Sequence, residues 1–136
     1  MKFSPNGIHT ALITPFTDAD EFDEATFRSL IDFQIDAGAS GLLVIGGSGE
    51  FVSLTPAERQ RVVEAAVDQT AGRIPVTVGA LAPGTREVQD TVHMAANAKA
   101  DAECPDGNEV EPGILTCRSS GTVSYTHLTL PTILLV

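Results

Sequence analysis

Short apolar runs and stripes at helical spacing alternate along the chain three times. Gly7 to Thr14 (GIHTALIT) reads as a strand closed by Pro15, and Thr17 to Glu21 is polar loop. Asp23 is placed to cap a helix reaching Ala37, in which Phe27, Leu30, Ile31, Gln34 and Ile35 form a mostly apolar stripe. Gly38 ends it as a left-handed cap. The second unit runs from strand Leu42 to Ile45, through a glycine-rich loop, to a helix announced by Thr55, Pro56 and Glu58: cap, first-turn proline and capping-box acid. Val62, Val63, Ala66 and Val67 make its inner face. The third unit is strand Pro75 to Gly79, a loop through Pro83 and Gly84, and a helix from about Thr85 with Val88, Val92, Ala95 and Ala96 inward.

β-branched strands without polar alternation, separated by helices, predict parallel strands buried on both faces. The chain is therefore read as α/β. Either a (β/α)8 barrel or an open doubly wound sheet can start this way, and a complete barrel of about 250 residues is longer than the 136 present. A barrel here would be incomplete.

After the third helix the repeat is expected to fail. Asp36 to Gly41 leads into Leu-Leu-Val-Ile, whereas the corresponding Asn97 to Ala102 leads into Glu103, Cys104, Pro105, Asp106 and Gly107. Pro105 removes a ladder donor and two carboxylates would be buried, so no fourth strand is predicted. Lys99, standing where the first helix has Gly38, suits a left-handed backbone poorly. Residues 1–102 thus read as one piece of a domain and 103–122 as unassigned, frame-shifted or chimeric sequence. From Gly121 to Val136 there is no Asp, Glu, Lys or Arg, and Val123 to Thr132 (VSYTHLTLPT) looks like a reading frame through sequencing-adapter DNA. The alternative is a short apolar strand, broken by Pro131, that belongs to the protein. Cys117 and His127 accordingly carry no functional weight.

Charge narrows the partners. A formal net charge of −10, from 18 acidic against 8 basic residues, repels nucleic acid and anionic membrane. The acids from Asp18 to Asp36 read as a solvated face, not a metal site. No apolar signal core follows Met1 and Lys2, and no apolar run approaches the roughly 20 residues of a membrane span, so a cytoplasmic location is expected. Cys104 and Cys117 lack the paired spacing of a zinc site. No metal or cofactor is expected.

The loop Gly46-Gly47-Ser48-Gly49-Glu50 is the candidate for chemistry. A Walker-type phosphate loop requires Gly-Lys-Ser/Thr, and no lysine lies nearby. A dinucleotide fingerprint could begin at Gly47, but Val52 occupies its third glycine position and the helix waits until Pro56. What remains is a loop at the carboxyl end of a parallel strand, where main-chain N–H groups and the Ser48 hydroxyl can hold a small anion such as a carboxylate. A tight turn with Ser48 facing water is the other reading, and the residues alone leave both open.

Ala11 to Phe16 (ALITPF), Gly46 to Phe51 (GGSGEF) followed by Ser53, Leu54, Thr55, Glu58 and Arg59, then Pro75, Val76, Gly79 and Thr85-Arg86-Glu87 stand in one order between Gly7 and Ala102. Together they resemble the dihydrodipicolinate synthase and N-acetylneuraminate lyase family. The resemblance implies the N-terminal three βα units of a (β/α)8 barrel and class I aldolase chemistry, in which a lysine amine condenses with the ketone of pyruvate or a related 2-keto acid. It assigns Gly47, Ser48 and Gly49 to grip that acid's carboxylate, and makes Glu50 a structural acceptor ordering the loop.

Many synthases of the family have threonine where Gly47 stands, so a sugar-acid lyase or dehydratase branch fits at least as well. The family places its lysine on the sixth strand and a catalytic tyrosine after the fifth. This sequence holds only Lys2 and Lys99, so no catalytic residue is assigned and the 136-residue chain is expected to be inactive by itself. His9 reads as a strand residue and His93 as a helix-surface residue. The parent enzyme is implied to be a homo-oligomer. The competing readings are a non-enzymatic small-anion-binding module and a non-functional truncated product.

Overall fold

The computed structural model describes residues 6–82 and 84–105. In chain order the elements are strand β1 (His9–Ala11), helix α1 (Glu24–Asp36), strand β2 (Gly41–Val44), a 3-10 turn (Phe51–Ser53), helix α2 (Pro56–Thr70), strand β3 (Val76–Ala80), helix α3 (Thr85–Asn97) and strand β4 (Ala102–Pro105). The strands form one parallel sheet in the order β1-β2-β3-β4.

The registers explain the burial. Leu42 pairs with Val76 and Val44 with Val78, and these four side chains meet Phe27 and Ile31 of α1 and Val62, Val63 and Ala66 of α2 in one core. Period-2 alternation puts His9, Gly41, Leu43, Thr77 and Gly79 on the opposite face. His9 lies over Gly41, where an added Cβ would come within 2.4 Å of the imidazole. Burial lowers the His9 pKa, against a smaller opposing effect of a backbone hydrogen bond at Asn6. On α3 the inward stripe is Val88, Thr91, Val92 and Ala95; Ala96 lies off it and is exposed.

Two expectations about the end of the repeat are corrected. A fourth strand does form: β4 pairs with β3 from Thr77↔Ala102 to Ala80↔Pro105. Among the described residues β4 is an edge, so half of its ladder positions face away from any partner and a proline at its last position is tolerated. Lys99 does adopt the left-handed conformation, at φ 62°, matching Gly38 at φ 90°.

The reason lies in the hydrogen bonds. Gly38 N–H donates to Ile35 C=O and Ala39 N–H to Gln34 C=O, and Lys99 and Ala100 repeat this pair with Ala96 and Ala95. Both helices end in the same Schellman geometry, which holds the position after the cap left-handed whichever residue occupies it. Of the stretch 103–136 read as frame-shifted, chimeric or adapter-derived, residues 103–105 belong to β4 and 106–136 lie outside the described residues.

Candidate functional site

All four strands run the same way, so the segments after them gather on one rim. Thr14 follows β1, Ile45 to Glu50 follow β2, and Leu81 and Ala82 follow β3. The loop after β2 is thus on the carboxyl edge, where α/β folds build their sites. Lys99 lies between α3 and β4, at the amino edge, on the far side from this loop. Lys2 lies outside the described residues. His93 is exposed on α3.

The loop is bent at both ends by non-glycine residues. Ile45 (φ 46°) and Glu50 (φ 54°) are left-handed, while none of Gly46, Gly47 and Gly49 has positive φ. A β-branched residue in this region is a genuine outlier, sustained only where the surroundings fix it. Ile45 is 1% exposed and packed in the core. The loop glycines instead permit close approach. A Cβ on Gly49 would meet the Ile45 Cα and N at 3.1 Å, and one on Gly79 of the neighbouring strand would meet Ile45 O at 2.8 Å.

Between the two bends, Gly49 N–H donates to Gly46 C=O and Glu50 N–H to Gly47 C=O, both at 3.1 Å. No peptide here is cis. In a trans peptide the C=O and the following N–H point in opposite directions. The Gly46 and Gly47 carbonyls face into the turn, so the N–H groups of Gly47 and Ser48 face out of it. Gly47 and Ser48 are exposed and Gly49 is buried. Two adjacent outward amides beside a hydroxyl can donate together to a small anion.

Glu50 departs from its expected role. Its carboxylate is exposed and makes no hydrogen bond or ion pair among the described residues; its main chain orders the loop instead, its carbonyl accepting from Ser53 N–H at 2.8 Å. Two further residues hold the loop. Thr14, 4% exposed, donates its hydroxyl to Gly49 C=O at 2.8 Å. Arg59, from the first turns of α2, donates Nε–H to the Phe51 and Leu54 carbonyls and stacks on Phe51. The motif reading leaves Thr14 out of the site; the signal for it is a hydroxyl inside the run ALIT, which must find an acceptor once buried.

The model of the dihydrodipicolinate synthetase family matches residues 4–104. The chain belongs to this family. The family resemblance seen in the motifs is thereby shown, and so is the fold, an α/β chain forming the first βα units of a (β/α)8 barrel. A 4-hydroxy-tetrahydrodipicolinate synthase from Salinibacter ruber is 47% identical over 95 residues, 70% of this chain and 32% of that protein. An uncharacterized DapA-like lyase from Rhizobium meliloti is 40% identical over 124 residues, 90% of this chain and 39% of that protein.

Among solved structures, dihydrodipicolinate synthase from Aquifex aeolicus superimposes with TM-score 0.71 at 37% identity, covering 74% of this chain and 34% of that one. YagE, an Escherichia coli K12 prophage protein of the same family in complex with pyruvate, superimposes with TM-score 0.71 at 33% identity over the same shares. The chain spans about a third of the length of these family members. Among the described residues no helix is long and apolar enough to cross a membrane.

Proposed function

We propose that the loop Gly46 to Glu50 is the carboxylate-binding part of a lyase that handles pyruvate or a related 2-keto acid as a Schiff base. The observation that carries this reading is the pair of outward amides at Gly47 and Ser48, flanked by the Ser48 hydroxyl, on the carboxyl rim. The pyruvate complex of YagE supports the choice of acid.

The division of labour follows from the chemistry. A lysine amine attacks the ketone carbon, water leaves, and the protonated imine becomes an electron sink for making or breaking the adjacent bond. Holding the carboxylate still fixes the angle at which the amine meets that carbon. The amides of Gly47 and Ser48 and the Ser48 hydroxyl do the holding; Gly49 lets the loop close against Ile45. Gly47 offers no hydroxyl for a proton relay, which favours the sugar-acid lyase or dehydratase branch alongside the synthase. The parent enzyme is proposed to be a cytoplasmic homo-oligomer.

In this reading the amine does not come from the 136-residue chain. Borohydride reduction in the presence of pyruvate is expected to add no mass, and an adduct on Lys2 or Lys99 overturns the assignment. Pyruvate titration of the 15N-labelled chain should shift the Gly47 and Ser48 amides. Ser48→Ala should weaken that binding roughly tenfold, the loss expected for a hydrogen bond to a charged acceptor. Phosphate binding as well as pyruvate would instead support the anion-module reading.

A further inference from the structure

We propose that Thr14 is a positioning residue for the carboxylate loop, its hydroxyl heading a hydrogen-bond relay that ends at the Ser48 N–H; the ligand end of this relay rests on the function proposed above. The relay can be traced atom by atom. Thr14 Oγ1–H donates to Gly49 C=O at 2.8 Å. The same peptide unit carries the Glu50 N–H, which donates to Gly47 C=O at 3.1 Å. That peptide unit in turn carries the Ser48 N–H, which the trans geometry directs out of the loop. Donor, peptide, peptide and ligand therefore lie in one chain: Thr14 hydroxyl, Gly49–Glu50, Gly47–Ser48, carboxylate.

Two physical effects run along such a chain. The first is geometric: with its C=O held by Thr14 and its N–H held by Gly47, the Gly49–Glu50 peptide cannot rotate, and Glu50 is kept at its left-handed φ of 54°. The second is electronic: each hydrogen bond polarises the amide it ends on, so a donor at Gly49 C=O makes the Glu50 and then the Ser48 N–H a better donor. Gly49 is buried, and the Thr14 hydroxyl is the one donor to its carbonyl among the described residues. Thr14 touches no substrate; it acts through the main chain from the neighbouring strand.

The test compares Thr14→Val, which keeps the shape and removes the donor, with Thr14→Ser, which keeps the donor. In the 15N-labelled 136-residue chain, Thr14→Val is expected to move the Ser48 amide proton upfield without ligand, leave the β3 amides in place, and weaken pyruvate binding roughly two- to tenfold. Thr14→Ser should return both readouts close to wild type. A purely structural role would lower the melting temperature of Thr14→Val while leaving the Ser48 shift unchanged, and that result overturns the relay.

The two proposals fail separately. Absence of any pyruvate-induced shift in the wild type, together with the upfield Ser48 amide in Thr14→Val, supports the relay and sinks the keto-acid reading. Pyruvate binding of equal strength in wild type and Thr14→Val, with Ser48 unmoved, does the reverse. Should the Val variant not fold, hydrogen exchange in the wild type decides: a protected Glu50 amide supports the relay, and one exchanging as fast as in an open peptide overturns it.

Discussion

Single residues set how closely the second and third strands approach at the rim. A methyl on Gly79 would sit 2.8 Å from Ile45 O and 3.0 Å from the Gly46 Cα, and because both are main-chain atoms no rotamer change relieves the clash. Gly79→Ala should cost about 1–3 kcal/mol, measured by urea denaturation, and displace the amides of Gly46 and Gly47. At Lys99 the sign reverses. Its left-handed φ of 62° is imposed by the Schellman bonds, so Lys99→Gly should stabilise by about 1 kcal/mol in the same assay.

His9 gives a pH signature. Burial holds its pKa below the ordinary 6.5, so the unfolded chain takes up the proton first. Its contribution is complete above pH 6.5 and is lost as pH falls toward the lowered folded value. Denaturation between pH 8 and 5 should show this slope, and His9→Gln should flatten it. The loop itself was legible as a glycine-rich carboxyl-end turn, but its bends were not. Nothing in Ile45 or Glu50 signals a left-handed backbone, because tertiary packing imposes it.

At the scale of elements, the local chemistry of caps and stripes decided most of the outcome. Thr55 Oγ1 accepts from Glu58 N–H and the Glu58 carboxylate accepts from Thr55 N–H, as the Thr-Pro-Ala-Glu spacing indicated. Thr55→Ala should cost about 1 kcal/mol, read from thermal melts. Asp23 likewise caps α1 through Thr26 N–H. Pro105 and Glu103 argue against a central strand and so hide the fourth one, which among the described residues lies at an edge.

In the acidic segment Asp18, Asp20, Glu21 and Asp36 are exposed, as a solvated face requires, and the partly covered carboxylates of Glu24 and Asp32 pair with arginines. Glu24 binds Arg28 and Arg61, Arg28 reaches Asp68 at 2.6 Å, and Asp32 binds Arg73 and Gln69, so arginines tie α1 to α2. Apart from the i,i+4 pair Glu24–Arg28, these partners stand about 40 residues apart in the chain and share no local spacing, which hides their pairing from a linear reading.

For the whole molecule, the sheet has two edges among the described residues, β1 and β4. Ile8 and Ile13 flank β1 at 59% and 57% exposure, so an apolar border accompanies the open ladder. Such edges pair with other chains. The net charge of −10 opposes this association, and salt screens that opposition. Sedimentation velocity should therefore show heavier species that grow with both protein and salt concentration; a monomer under all conditions contradicts this account.

Because the spatial order of strands is also their order along the chain, each one docks only on its predecessor. A polypeptide emerging from the ribosome can lay down this sheet stave by stave, never waiting for a distant partner. The turn from Gly46 to Glu50 has its neighbours once β3 has closed against β2, so its shape calls on no strand beyond the third.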